Sequence, residues 1–314
     1  MKQRVAVFAA SGRIGQAQVR QLLRHGYPTV AVTRHPVIFD RPEFAGLRIE
    51  PADYDDRTSL DRVLASVDSV FFQLPSFGSL AQTDQHARNM CEAALAARVS
   101  KFVFNATMWA PDAAPCGVSL YDHVREIEDM LMASGLPAVS FRPVLFMDNL
   151  LTLFCKPSIV EEGVYRYCHR PGLEANWISM DDVARFMIQA LERPNLLGGR
   201  FTIGGPERLR IEEVLAILAE VVGRPITLEY LPARQFGEYI YDRLGPALGP
   251  DRQGFADFFD TFYTFNNYAP QRPFEVDVES LLQVMPMELT SLREWARAQD
   301  WTESGRDAIG SAVG

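Results

Sequence analysis

The chain is poor in the residues that staple or metallate small folds, with four cysteines and five histidines in 314 residues. Cys91, Cys116, Cys155 and Cys168 show none of the close pairing that builds a zinc site, so neither a metal nor a disulfide framework is expected. Cys91 falls in an apolar helical pattern where a buried thiol is common, and all four cysteines read as free thiols of a reducing cytoplasm. An excess of basic residues is also missing. Lysine and arginine number 31 against 40 aspartates and glutamates, a formal charge of −9, which argues against the clustered cationic surface that a nucleic-acid backbone requires. No apolar run is long enough to span a bilayer, and no charged leader with an apolar core precedes the first strand. The expected setting is therefore cytoplasmic, with no membrane and no direct nucleic acid among the partners. Repeats, low-complexity tracts and an obvious interdomain linker are absent as well.

What is present is apolar substance, 47% of the chain, enough for one large core or two smaller ones. The most informative stretch runs from Arg4 through Val5-Ala-Val-Phe8 to Ala9-Ala-Ser-Gly-Arg-Ile-Gly15 and on to Gly26. It reads as a buried strand, a tight turn, and a helix with Val19, Leu22 and Leu23 on one face, closed by Gly26. Gly12 lets backbone approach a phosphate, Gly15 lets the helix sit close on the strand, and the free N–H groups of the first helical turn face the anion. The first glycine of the usual dinucleotide fingerprint is replaced by Ala9. Ala10, Ser11, Gly12, Arg13, Ile14 and Gly15 are the candidate diphosphate binders.

Further short strands are predicted at Thr29–Thr33, Leu47–Pro51, Ser69–Leu74, Lys101–Asn105 and Ala138–Arg142, with helical patterns at Ser59–Ala65 and Gln82–Arg98. This alternation implies an α/β fold, a Rossmann-type doubly wound parallel sheet. In such sheets ligands lie beyond the carboxyl ends of the strands, so Arg34, Asp53, Gln73, Leu74, Pro75, Asn105 to Thr107 and Pro143 are expected to converge on one crevice. Residues 1–150 are read as the dinucleotide-binding domain, completed by segments near 175–205. Residues 151–314 form a smaller substrate-side or partner-side lobe interleaved with it. In that lobe Asn176–Ala184 predicts a strand entering a helix, Gly199–Gly204 a strand, Ile211–Val222 a helix ended by Gly223, and Ile226–Leu231 a strand. Asp251–Phe265 carries Phe255, Phe258, Phe259, Phe262 and Tyr263 on one helical face, a core pattern that also suits a roof over the cleft or a second subunit of a homo-oligomer.

Several separated motifs agree in order: Ala9-x-x-Gly12-x-x-Gly15, Thr33-Arg34, Ala52-Asp53-Tyr54-Asp55-Asp56, Ser134-Gly135-Leu136 leading to Phe141-Arg142-Pro143, Phe146-Met147-Asp148-Asn149, and Ser179-Met180-Asp181-Asp182-Val183-Ala184. Together they resemble the NmrA-like branch of the atypical short-chain dehydrogenase/reductases, from the start of the chain to about residue 230 and again at Leu289–Trp301. The resemblance implies an NADP(H)-binding Rossmann domain with a small, mainly helical C-terminal lobe. Some members of that family are reductases and others are redox-sensing regulators.

Arg34 stands where a NAD-preferring fold places an acid, and its planar fork suits a 2′-phosphate, with Arg13 able to approach the same phosphate. By resemblance Asp53 and Tyr54 border the adenine, although Asp53 could instead cap the helix near Ser59. Gln73, Leu74 and Pro75 would line the ribose and diphosphate. Reductases of the wider superfamily use a tyrosine and a lysine four residues later. In this chain Tyr121 is followed by Arg125, which keeps the charge but cannot relay a proton. Thr107, with Asn105 two residues before it, is the best match for the expected hydroxyl partner, so Thr107, Tyr121 and Arg125 form a candidate altered catalytic triad. The alternative is a structural helix start. His123 reads as a surface or capping residue, Asn149 as a nicotinamide contact or a helix start, Asp181 and Asp182 as helix caps, and Trp109 and Trp177 as core. The leading expectation is an NADPH-dependent reductase of a small carbonyl, enone or quinone. The rival is a non-catalytic redox sensor acting through a protein partner, and a nucleotide-sugar epimerase ranks last because such enzymes keep the tyrosine–lysine pair.

Overall fold

The computed structural model describes residues 2–74, 79–245 and 251–302. Strands β1 (Val5–Val7), β2 (Thr29–Val32), β3 (Arg48–Glu50), β4 (Ser69–Phe72), β5 (Lys101–Asn105) and β6 (Ala138–Pro143) alternate with helices α1 (Arg13–Arg24), α2 (Arg57–Leu64), α3 (Leu80–Ala97) and α4 (Ser119–Ala133). The second half adds β7 (Leu145–Phe146), β8 (Val164–Tyr167), β9 (Glu174–Ile178), α5 (Met180–Glu192), β10 (Arg200–Ile203), β11 (Arg208–Arg210), α6 (Ile211–Val222) and β12 (Thr227–Tyr230). It ends with α7 (Ala233–Leu244), α8 (Arg252–Tyr268), α9 (Val278–Val284) and α10 (Leu292–Arg297).

Among the described residues β10, β6, β5, β4, β1, β2 and β3 lie side by side in that order as one seven-stranded sheet, every pair parallel. Helices on both faces bury such strands completely, which is why β1 reads as an unbroken apolar run. Successive side chains point to opposite faces. Val5 and Val7 join a core built with α1 and α5, whereas Ala6 and Phe8 join one built with α2, α3 and α4. The sheet order reverses at β1, between β2 and β4, so the crevice for a ligand opens at the ends of β1 and β4. A third core fills the C-terminal lobe, around a β7–β9–β11 sheet and the parallel β8–β12 pair.

Three local expectations are corrected. Helix α8 does not keep its aromatics on one face: Phe255, Phe259 and Tyr263 pack into the lobe core, but Phe258 is exposed and stacks on Phe262. Helix α2 is capped by Asp56, whose carboxylate accepts from the Thr58 N–H at 3.0 Å, and not by Asp53. Helix α5 is capped by Ser179, which frees Asp182 to accept from the Thr290 N–H at 2.8 Å and Asp181 to pair with Arg20 at 2.9 Å. In each case the cap falls two or three residues from the expected one, at the position whose backbone leaves the helix.

The lobe core contains a titratable group. His169 is buried among Tyr165, Tyr167, Trp177, Tyr263 and Phe274, with the Tyr165 hydroxyl 2.9 Å from its Nδ1. Burial disfavours the imidazolium and lowers its pKa from 6.5 to about 3. The unfolded chain therefore takes up a proton that the folded chain refuses, and stability is lost as pH falls below the unfolded value. Denaturant midpoints are expected to drop by the equivalent of about 2 kcal/mol between pH 7 and pH 5 from this group alone. A His169→Gln variant should show a flatter profile over that range.

Candidate functional site

The turn after β1 is shaped by backbone constraints. Ala9 sits in the left-handed region with φ 51°, where alanine costs about 1 kcal/mol more than glycine. That conformation explains why the usual fingerprint has glycine at this position. Gly12 is the N-cap of α1 and supplies no side chain, and no acidic residue stands in the first turn, so the leading N–H groups lack a side-chain partner. A Cβ on Gly15 would lie 2.4 Å from the Ala9 oxygen and 2.6 Å from the Ala10 Cα, so α1 can approach the turn only through a bare backbone. The turn is braced from β4: Gln73 Nε2 donates to the Ala9 oxygen at 3.4 Å, and Gln18 Nε2 donates to Gln73 Oε1 at 3.1 Å.

Arg34, just past β2, is exposed and pairs with Asp53 at 3.0 Å, so the phosphate candidate and the adenine candidate meet. Asp53 also accepts from the Asp55 N–H, holding the loop after β3. Tyr54 is turned inward. Its hydroxyl donates to the Gln73 carbonyl at 3.0 Å and its ring stacks on Phe8 and lies against Phe72 and His86, and burial pushes its phenol pKa up. Leu74 is half-buried at the exit of β4, and Pro75 lies outside the described residues. Arg13 does not point toward Arg34. It donates to the Asp148 carbonyl and lies beside the Asp148 carboxyl, which accepts from the Met180 N–H at 3.0 Å. Burial lowers the Arg13 pKa and raises that of Asp148, each moderated by the other's charge. The pair thus ties the start of α1 to the start of α5.

At the ends of β5 and β6, Asn105 is fully buried and Pro143 follows in the neighbouring strand. Asn105 Oδ1 accepts from the Thr107 N–H at 2.9 Å, while its Nδ2 has no partner. Thr107 takes φ 62°, a strained conformation for a β-branched residue and one that concentrates at functional positions. Tyr121 lies on α4, fully buried, and donates to Asn266 Oδ1 of α8 at 2.5 Å. Trp109, Phe262 and Phe265 pack around its ring. Burial raises its pKa, and the Asn266 hydrogen bond only moderates that shift. Arg125 binds Asp129 at 3.0 Å, and Arg200 binds the same carboxylate. The Tyr121 hydroxyl and the Arg125 fork are therefore directed to different partners. His123 is buried rather than exposed, and Asn149 belongs to a short 3₁₀ helix, Met147–Leu151.

Four features escaped the sequence reading: Gln18, Asn266, the buried Glu128–Arg142 pair, and Arg41. Arg41 donates to Gln16 Oε1 at 2.6 Å, and Gln16 in turn donates to the Ser11 oxygen at 2.7 Å, which places a second guanidinium beside the first turn of α1. Gln18 was open to detection as a polar residue on the apolar face of α1. The others depend on long-range contacts. Among the described residues no group of three or more His, Cys, Asp or Glu could hold a metal ion, and no helix is long and apolar enough to cross a membrane.

Comparison with known proteins gives a consistent result. A model of the NmrA-like family matches residues 1–301. A (4-alkanoyl-5-oxo-2,5-dihydrofuran-3-yl)methyl phosphate reductase of Streptomyces griseus is 30% identical over 229 residues, 72% of this chain and 77% of the relative. An NAD(P)H azoreductase of Xenophilus azovorans is 26% identical over 249 residues, 78% of this chain and 84% of the relative. Among solved structures, the NADPH-dependent quinone oxidoreductase of Escherichia coli, complexed with NADPH, superposes with a TM-score of 0.73 at 22% identity, covering 93% of this chain and 98% of that one.

Proposed function

The chain belongs to the NmrA-like family, and from that premise we propose that it is an NADPH-dependent reductase of a small carbonyl, enone or quinone. The observation that carries this reading is the α1 start: an N-terminus with no side-chain cap, on a turn where Gly15 leaves room for nothing but backbone. Those residues fit a diphosphate, because unpaired N–H groups and the helix dipole both favour an anion. Arg34 and Arg41 fit the 2′-phosphate, and the unpaired Asn105 Nδ2 offers a donor at the strand end facing the nicotinamide half. NADPH held there would supply a hydride, two electrons with one proton, and solvent would supply the second proton of the reduction. Thr107 and Trp109 would orient the acceptor at the exit of β5. Tyr121, whose burial keeps its proton in place and whose hydroxyl is committed to Asn266 Oδ1, would position that amide rather than act as a phenolate base.

Replacing Arg34 by glutamate should weaken NADPH about tenfold or more and leave NADH within about twofold, because only the 2′-phosphate distinguishes the two. Calorimetric titration of both nucleotides checks this, and an unchanged NADPH affinity removes Arg34 from the site. Turnover is checked by NADPH oxidation with a panel of quinones, enones and aldehydes. One observation favours the redox-sensor alternative: the Tyr121 hydroxyl and Arg125 have separate partners, so no tyrosine–cation relay is formed. A sensor must bind NADP⁺ and NADPH with different affinities, and equal affinities reject it.

A further inference from the structure

Strand β10 is one edge of the seven-stranded sheet, bonded on one side to β6. The Ser140 and Val144 N–H groups donate to the Gly199 and Ile203 carbonyls at 3.0 and 3.1 Å, so residues 199, 201 and 203 turn their backbone groups toward β6. Arg200 and Thr202 then turn theirs outward, and among the described residues no hydrogen bond reaches those N–H and C=O groups. This open edge lies in a groove of about 360 Å³, walled by Trp109 from the loop after β5 and by Val276, Leu281 and Val284 from α9 and the segment before it. Val284 is 43% exposed. The groove also carries an acid. Asp277, the N-cap of α9, accepts from the Ser280 hydroxyl at 2.7 Å and from the Ser280 N–H at 3.1 Å, which hold its carboxyl below the usual range. The neighbouring Arg208 and Arg272 pair with Glu275, and Arg200 is bound to Asp129 at 2.6 Å, so among the described residues Asp277 keeps its charge without a cationic partner.

We propose that β10 is a docking edge for an extended, basic segment of a partner protein, which adds to the sheet as a further strand. Unpaired N–H and C=O groups along an edge are a template for such an addition. In this mode the main chain supplies affinity, and sites for alternate side chains supply selectivity. Trp109, Leu281 and Val284 call for apolar side chains on the incoming segment, and Asp277 calls for a lysine or arginine. A second copy of this chain does not suit the groove. Its own β10 lies between the same walls, so Trp109 and α9 of the two copies would meet before the strands do. The inference does not depend on turnover and stands apart from the reductase reading.

The test uses the full chain and the peptide acetyl-Ala-Val-Lys-Val-Arg-Ala-amide, with acetyl-Ala-Val-Glu-Val-Asp-Ala-amide as the acidic control. Binding is read from Trp109 emission, assigned with Trp109→Phe, and from amide hydrogen exchange. The basic peptide should bind saturably and about tenfold or more tighter than the control. Exchange at Arg200 and Thr202 should slow on binding, while Phe201 and Ile203, already paired with β6, stay unchanged. Thr202→Pro removes an outward N–H and leaves the β6 ladder whole, and it should weaken the basic peptide about tenfold or more. Asp277→Ser keeps a helix cap and should bring the two peptides to within about twofold of each other. NADPH affinity should stay within about twofold in both variants, which reports an intact fold. If Thr202→Pro loses NADPH binding, the exchange pattern and Asp277→Ser decide. Absence of peptide binding, exchange unchanged at Arg200 and Thr202, parental peptide affinity in a folded Thr202→Pro, or the parental preference kept by Asp277→Ser overturns the proposal. So does a dimer of the unmodified chain that Thr202→Pro dissociates, since a second copy would then hold the edge.

Discussion

Gly15→Ala is expected to weaken NADPH binding by about tenfold or more and to lower stability by about 1–3 kcal/mol. The added Cβ would stand 2.4 Å from the Ala9 carbonyl oxygen and under 3 Å from the Ala10 backbone, none of it a flexible side-chain end that could turn away. Either α1 moves off β1 or the Ala9–Gly12 turn shifts, and both displace the N–H groups aimed at the diphosphate. Alanine's better helix propensity is worth about 1 kcal/mol and acts in the opposite direction, so the sign of the stability change decides whether the close approach matters. Urea denaturation paired with NADPH calorimetry measures both effects. A variant with parental stability and affinity would contradict the role given to this turn.

The second large effect is expected at Glu128. Its carboxylate is fully buried and accepts from Arg142 Nε and Nη2 at 2.9 and 2.6 Å and from the Ser140 hydroxyl at 2.5 Å. Arg142 is equally buried, and its remaining arm reaches the exposed Asp112 in the segment between β5 and α4. Burial alone would lower the Arg142 pKa, but the hydrogen bonds and charge of Glu128, with Asp112, more than offset it and leave the pKa raised. Glu128→Leu leaves the buried guanidinium with only the exposed Asp112 on one arm, a change expected to cost about 3–5 kcal/mol. Glu128→Leu combined with Arg142→Met should recover most of that loss, because an apolar pair of similar volume removes the unpaired charge. A double-mutant cycle in urea reads the coupling directly. Additive effects would show that the pair is not a unit.

The parts of the fold that local physics specifies were legible in the amino-acid order. Helix α6 begins and ends at the predicted residues, Ile211 and Val222, because Gly223 takes φ 78° and stops it there. The β1 turn was legible for the same reason, since bare backbone at fixed spacing is a sequence property. Partnerships across long separations were not. Tyr121 and Asn266 are 145 positions apart, and nothing in either local sequence predicts their hydrogen bond. Arg13 and Asp148 are 135 positions apart, so the sequence shows Arg13 as a residue of the glycine turn and gives no sign of its partner. The aspartates at residues 53, 55 and 56 illustrate a third limit: their chemistry is the same, and backbone angles give Asp56 the helix cap and Asp53 the arginine. The strand of β9 is legible at Asn176, but its pairing with the short β7 and β11 is not, because β7 and β11 are two and three residues long and meet it from distant parts of the chain.

Calorimetric titration of the unmodified protein with NADPH and with NADH is the most direct test of cofactor capture by the α1 start and Arg34. The account predicts saturable heat with both nucleotides and a preference for NADPH of about tenfold or more. Absence of heat with either nucleotide, or NADH bound as tightly as NADPH, would contradict it.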